Sequence, residues 1–141
     1  MIQFLNADHP YRLREIKRIR AWLQDVISGY HKQEGEISVV FCSDDYLLKI
    51  NQESLNHHDF TDIITFDFCV GDIVSGDLFI SVPRVQENGR LYSVSSRNEM
   101  CRVIVHGVLH LIGFQDKTDQ TQATMREAEN RALAELFHVK H

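Results

Sequence analysis

Apolar residues recur along this chain with two different periods, and the periods predict an alternation of short strands and helices. Residues 2 to 5 read as a strand. Pro10 suits the first turn of a helix, and Leu13, Ile16, Ile19, Leu23, Val26 and Ile27 continue it at helical spacing to about Ser28. Gly35 precedes a β-branched run at 37 to 42, read as a strand. Ser43 or Asp44 can cap a second helix that carries Tyr46, Leu47, Leu48 and Ile50 to about Asn56. Residues 62 to 68 and 76 to 82 read as strands, and the turn-rich segment from Gly71 to Gly76 predicts a hairpin between them. Pro83 opens a third helix through Glu87. Ser96 with Glu99 forms a capping-box pair ahead of a helix over 97 to 112, and a last helix spans about 121 to 137. The order β-α-β-α-β-β-α-α-α predicts an α+β fold, a mixed sheet of about four strands packed with about five helices. No repeat, low-complexity tract or linker interrupts the chain, which predicts one domain over residues 1 to 141.

The helix at 97 to 112 carries the most informative residues. Positions 106 to 113 read His-Gly-Val-Leu-His-Leu-Ile-Gly, and Asp116 follows. Histidines four apart share one helix face, with Cβ atoms roughly 5–6 Å apart, close enough for both rings to bind one ion. Gly113 is placed to end the helix, and the returning chain can bring Asp116 to the same ion. Two histidines and a carboxylate leave a position open, the composition of a catalytic rather than a structural zinc site. With 8 His among 141 residues, chance supplies about 0.4 such pairs, so the spacing alone decides nothing. The surroundings do: Val103, Ile104, Val105, Val108, Leu109, Leu111 and Ile112 make the stretch almost wholly apolar, and polar rings there need partners. Two core histidines hydrogen-bonded to neighbours would be the bland explanation. The following glycine and carboxylate favour a metal ion.

Bulk properties narrow the class. Apolar content of 43% and charged content of 25% are ordinary for a soluble globular protein. No apolar run reaches the roughly 18–20 residues needed to span a bilayer. The first eight residues lack a basic lead and a long enough apolar core for a signal peptide, which predicts a cytoplasmic protein. Cys42, Cys69 and Cys101 are odd in number and lack CxxC spacing, so buried thiols are expected rather than disulfides or a cysteine zinc site. A net charge of −5 gives no global attraction to nucleic acid. Arg12, Arg14, Lys17, Arg18 and Arg20 nevertheless cluster against a single acid, Glu15, and a local basic patch can guide phosphate; a solvated helix face explains the same cluster.

The segment His106-Gly107-Val108-Leu109-His110-Leu111-Ile112-Gly113-Phe114 resembles the HGxLHLxGYxH signature of the bacterial YbeY family. Asn51 with Thr61-Asp62-Ile63-Ile64-Thr65-Phe66 resembles that family's LN…TDVLSF segment, and Gly76-Asp77-Leu78-Phe79-Ile80 its GDIxI strand. The three blocks fall in the family's order. The resemblance implies a zincin-like α+β fold and one bound zinc ion. It implies a single-strand-specific endoribonuclease that matures the 3′ end of small-subunit ribosomal RNA and serves ribosome quality control, with ribosomal RNA and the ribosome or its small subunit as partners and neither DNA nor membrane. The family's three histidine ligands fall on His106, His110 and Asp116, with His106 and His110 carrying catalysis through the bound ion.

Two departures from the family pattern stand out. Asp116 replaces a histidine; aspartate still binds zinc, but its charge weakens the ion as a Lewis acid and also suits other divalent ions, iron(II) among them. Asp119 is a weaker candidate for the same role. The family's arginine upstream of TDVLSF falls on Leu55 here, with His57 and His58 beside it as substitutes or as plain loop residues. The spacing also resembles metzincin proteases, whose general base follows the first histidine. Gly107 holds that position and can do no acid–base work, which argues for phosphodiester hydrolysis over a peptidase. The same donor set would also serve a non-catalytic ribosome-assembly factor or, less readily, an iron(II) oxygenase. Arg84, Arg90, Arg97 and Arg102 are the cations nearest the motif in sequence. Asp62 is a candidate partner for a motif histidine, Asp67 and Asp77 read as turn or edge residues, and His138 and His141 as a frayed terminus.

Overall fold

The computed structural model describes residues 1–55 and 61–137. The elements run β1 (Ile2–Asn6), α1 (Ile16–Gly29), β2 (Gln33–Cys42), α2 (Asp44–Leu55), β3 (Ile63–Asp67), β4 (Ile73–Ser81), α3 (Val82–Leu91), α4 (Ser96–Ile112) and α5 (Asp119–Leu136). The order and the α+β class are those the sequence pattern predicts. The sheet is mixed, in the order β1-β2-β4-β3. β1, β2 and β4 are parallel, and β3 pairs antiparallel with β4 through the expected hairpin. β3 is therefore an edge strand.

Alternation along the strands divides the core. Ile37, Val39 and Phe41 of β2 and Val74, Leu78 and Ile80 of β4 face the large cluster that α1, α4 and α5 complete. Phe79 of β4 points the other way, with Ile64 and Phe66 of β3, toward Leu47 and Ile50 of α2. Two glycines let α4 lie close on the sheet. A Cβ at Gly107 would meet Ile63 Cδ1 at 2.8 Å and Leu78 Cδ2 at 2.9 Å, and one at Gly76 would overlap Phe66 O and meet Leu111 Cδ2 at 2.8 Å. α5 is tied across to α1 by the Trp22 indole, which donates to Ala132 O at 2.8 Å.

Four local predictions need correction. α1 begins at Ile16, not near Pro10: Glu15 sits at φ +57°, and the segment before it is irregular because Tyr11 turns onto Phe41, ring centroids 4.8 Å apart, while Leu13 enters the core. β2 starts at Gln33, because Gly35 lies within the strand, at the register shift between Glu34 and Ile37 where a Cβ would strike Ser75 Oγ, rather than in a turn before it. β4 likewise starts at Ile73, within the segment predicted as turn, since the reversal is completed between Val70 and Ile73. The cap of α4 is Ser95, whose hydroxyl accepts from Asn98 N at 3.0 Å; Glu99 falls one place beyond the capping-box position and is buried instead. The thiols of Cys42, Cys69 and Cys101 are free; burial pushes Cys42 up to about 12 and Cys101 to about 11. Among the described residues no helix is long and apolar enough to cross a membrane.

Candidate metal centre

His106 and His110 project from one face of α4, both partly exposed, with ring centroids 4.6 Å apart and planes 82° apart. Gly113 ends the helix at φ +128°, its N–H shared between His110 O and Leu109 O. That conformation favours glycine. Phe114 then anchors the reversal edge-on against Tyr30 at 5.3 Å. The loop carries Asp116 back over the histidines, its Oδ2 3.5 Å from His106 Nε2 and 3.3 Å from His110 Nε2. One donor atom from each of the three residues lies within 4.8 Å of the others.

The hydrogen bonds behind the rings decide what the front can do. His110 Nδ1 lies 3.0 Å from Phe114 O. A carbonyl only accepts, so Nδ1 carries the proton and the lone pair of the neutral ring is on Nε2, toward Asp116. His106 Nδ1 lies 2.6 Å from Glu129 Oε2, which places its second nitrogen in the same way. Both Nε2 atoms therefore present lone pairs to the space Asp116 closes. Donor separations near 3.3–3.5 Å are what ligands roughly 2.0–2.2 Å from a tetrahedral centre require. The residues fit a divalent ion.

Glu129 of α5 is the centre of this support. It is 6% exposed, and its other oxygen accepts from Arg102 Nη1 at 2.9 Å. Arg102 also reaches Asn130 Oδ1 at 2.8 Å. Burial opposes the charged form of His106, but the Glu129 bond and the charges of Glu129, Asp116 and Asp62 outweigh it and hold the imidazole above its usual value. Burial likewise works against the Glu129 carboxylate, yet the His106 and Arg102 bonds hold it below the usual range. Two other carboxyls nearby are pushed upward, Asp62 and Glu99, in both cases first by burial, with the Glu129 charge adding to it at Asp62 and the Asp62 and Glu129 charges at Glu99.

Two clefts meet at this point. One, of about 630 Å³, is lined by Tyr92, Glu99, Arg102, Asp119, Arg126 and Glu129 among others. The second, of about 540 Å³, follows the edge strand β3 and includes Asn51, Thr65, Asp67 and His110. Asp62, Ile63, His106 and Asp116 belong to both.

The structure sorts the sequence candidates. His106, His110 and Asp116 come together. Asp119 lines the first cleft outside that donor group. Asp62 is at the junction of the clefts, but the partner of His106 is Glu129. Of the four nearby arginines only Arg102 lines the site: Arg84 pairs with Asp44 at 2.6 Å, Arg90 with Glu87 at 2.5 Å, and Arg97 with Glu15 at 3.0 Å. Asp67 Oδ1 accepts from Cys69 N at 2.9 Å, a turn role as predicted. In the basic stretch, Arg20 donates to Ile2 O and lies over Phe4, and Arg18 bonds Leu136 O; Arg12, Arg14 and Lys17 border a different depression. His57, His58, His138, His141 and the Leu55 side chain lie outside the described residues. Sequence reasoning missed Glu129, and a signal was present: it occupies a core position between Met125, Ala128, Ala132 and Leu133, where an acid needs a partner.

An α+β fold with a two-histidine, one-aspartate donor set at the junction of two clefts is a framework that could hold a metal ion beside a bound substrate. Comparison with known proteins places it further. A family model described as endoribonuclease YbeY matches residues 4–137. The chain belongs to this family of endoribonucleases. A relative in Flavobacterium psychrophilum, named endoribonuclease YbeY, is 45% identical over 140 residues and 99% of each chain. One from Porphyromonas gingivalis with the same name is 50% identical over 115 residues, 82% of this chain and 76% of that one. In fold, the chain is similar to a Thermotoga maritima protein solved in solution, with TM-score 0.72 at 22% identity, covering 97% of this chain and 89% of the other.

Proposed function

We propose that this family member is a zinc-dependent endoribonuclease that cuts single-stranded ribosomal RNA precursors, at the 3′ end of the small-subunit RNA, in the cytoplasm and in contact with the small subunit, where the same cut serves ribosome quality control. His106, His110 and Asp116 hold the ion. The observation that carries this reading is the convergence of two Nε2 lone pairs and one carboxylate at the meeting of two clefts. When bound, the ion polarises a phosphate oxygen and lowers the pKa of water in its vicinity.

The chain's own groups supply the rest. Glu129 accepts a hydrogen bond from Nδ1–H of His106 at 2.6 Å and so holds the ring's tautomer and tilt. Phe114 O does the same for His110. Arg126, whose side chain is 63% exposed and only loosely paired with Glu129 at 4.0 Å, is the first-cleft cation left to meet a phosphate; Arg102 braces Glu129. The edge strand β3 offers a wall along which an extended strand of RNA can lie. Position 107 is occupied in packing: its Cβ direction runs into Ile63 and Leu78, so a protease-type glutamate there would enter the sheet interface instead of the cleft. That supports RNA over peptide as substrate.

The test is cleavage of a small-subunit RNA precursor by the purified protein, with elemental analysis of the same sample. One zinc per chain and specific cleavage, both lost in His110→Ala and Asp116→Ala, are expected. Undiminished cleavage by a metal-free His110→Ala protein refutes the proposal; a folded His110→Ala protein that keeps full function in ribosome assembly refutes it in favour of a non-catalytic assembly factor.

A further inference from the structure

Glu99 has no structural work to explain it. It is 5% exposed, yet its carboxyl makes no hydrogen bond or ion pair among the described residues. An unpaired buried carboxyl costs stability. No side-chain nitrogen or oxygen that is sealed from solvent lacks a partner among the described residues, so the Glu99 oxygens are not sealed; they open onto the first cleft, which Glu99 lines. Glu99 precedes His106 by two helical turns, so both point to the same side of α4, about 10 Å apart along its axis. At that distance Glu99 stands beside a nucleotide flanking the scissile bond rather than at the reacting phosphorus. Tyr92, 62% exposed, lines the same cleft and offers a face for a base.

We propose that Glu99 forms a ribose subsite: its carboxyl hydrogen-bonds the 2′-hydroxyl of a nucleotide adjacent to the cut, and thereby selects RNA over DNA. This rests on the endoribonuclease reading above. The chemistry favours a hydroxyl over other partners. A phosphate is an anion and is repelled by the ionised carboxylate and by the Asp62 and Glu129 charges beside it. A base amine only donates, and so leaves the O–H of a neutral carboxyl without an acceptor. A hydroxyl donates and accepts, and pairs with the carboxyl whether ionised or neutral, which suits a group that burial and the Asp62 charge push upward. The 2′-hydroxyl is also what distinguishes the two nucleic acids at every nucleotide, and a polar group left unpaired by a substrate lacking its hydroxyl rejects that substrate strongly.

The experiment uses a single-stranded RNA oligonucleotide cut at a mapped bond, and a series carrying one 2′-deoxy replacement at a time around it. The wild-type protein is expected to lose about 10- to 100-fold in kcat/KM at one replaced position. In Glu99→Ala that penalty falls to about 1-fold, and in Glu99→Gln it is kept in part. Because each penalty is a ratio within one protein sample, it does not depend on the folded fraction. The Tm of Glu99→Ala is expected to stay or rise, since an unpaired buried acid is removed. A deoxy penalty that is the same size in Glu99→Ala overturns the inference. So does an equal loss on all strands with a shifted pH profile, which marks acid–base work, or a penalty that follows base identity instead of the sugar. A wild-type protein that cuts no strand defeats the endoribonuclease reading itself; one that cuts with a Glu99-independent penalty defeats only the ribose subsite.

Discussion

Replacing Glu129 with glutamine tests the support of the candidate metal centre without changing its shape. Both carboxylate oxygens are used as acceptors, Oε2 from His106 Nδ1 at 2.6 Å and Oε1 from Arg102 Nη1 at 2.9 Å. Glutamine offers one acceptor and one donor. If its oxygen serves His106, its NH2 faces the Arg102 guanidinium; if it serves Arg102, the NH2 faces the Nδ1 proton and favours the tautomer that moves that proton to Nε2. The Glu129 side chain is 8% exposed, so water does not repair either mismatch. Outer partners of metal-ligating histidines are generally worth about 10- to 100-fold in metal affinity, or about 1.4–2.7 kcal/mol. Glu129→Gln is therefore expected to weaken zinc binding by that factor in a competition titration with a chromogenic chelator, run at the same pH for both proteins, with a native circular dichroism spectrum. In the metal-free protein the His106 titration, followed by NMR, should move down, because the carboxylate that holds it up is gone. An unchanged zinc affinity together with an unchanged His106 titration refutes the role given to Glu129.

Zinc affinity should fall as pH is lowered through the His106 pKa, which lies above its usual value of 6.5, because the proton competes for Nε2; a chelator titration from about pH 8 to about 5.5 checks this, and a flat profile contradicts it. The metal-free protein should show the opposite trend. His106 is raised, so its contribution to stability is full below pH 6.5 and lost as pH rises through the raised value; Glu129 is depressed from 4.5, so its contribution is full above 4.5 and lost as pH falls through the lowered value. Its Tm should be highest between those limits and decline on both sides, and a Tm that rises steadily from about pH 6.5 to about 8.5 argues against the His106–Glu129 pair. Gly76→Ala, whose Cβ would press on the Phe66 carbonyl, should cost about 1–3 kcal/mol in urea unfolding, while Gly29→Ala, with nothing within 4 Å, should be neutral or slightly stabilising; equal effects would show that α4 does not sit as close on the sheet as described. Gly107→Glu should lower Tm and confer no peptidase activity, since its side chain would meet Ile63 and Leu78; measurable hydrolysis of a peptide substrate by this variant contradicts the packing argument.

The parts of this site that could be read from sequence are those whose geometry is local. His106, His110, Gly113 and Asp116 lie within eleven consecutive residues, and one helix, one cap and one short loop relate them. Glu129 could not be placed in the same way, because its bond to His106 depends on how α5 packs on α4. Sequence proximity misled for Arg97. It is nine residues before His106, half a turn out of phase on α4, and so faces Glu15 at the start of α1; Arg102, four residues before, shares the histidine face. The Ser96–Glu99 pair failed by one residue, since the cap moved to Ser95, and that shift is what frees Glu99 for the cleft. The start of α1 failed because Leu13 keeps the helical spacing while the backbone around it does not.

Charge explains why the donor set and the cleft belong to one function. The first cleft gathers Asp62, Glu99, Asp116, Asp119 and Glu129 against Arg102 and Arg126, and Arg102 is already committed to Glu129 and Asn130. A phosphodiester would be repelled from such a surface. Two features reduce the repulsion. Burial pushes Asp62 and Glu99 toward their neutral forms, and a divalent ion on His106, His110 and Asp116 would add two positive charges where the clefts join. Asp116 offsets one of them, which three neutral histidines would not do. On the proposed reading an ion held there would have to admit the phosphate as well as polarise it, and Arg126, the exposed cation lining the first cleft, would gain importance to the extent that Asp116 takes charge away from the metal.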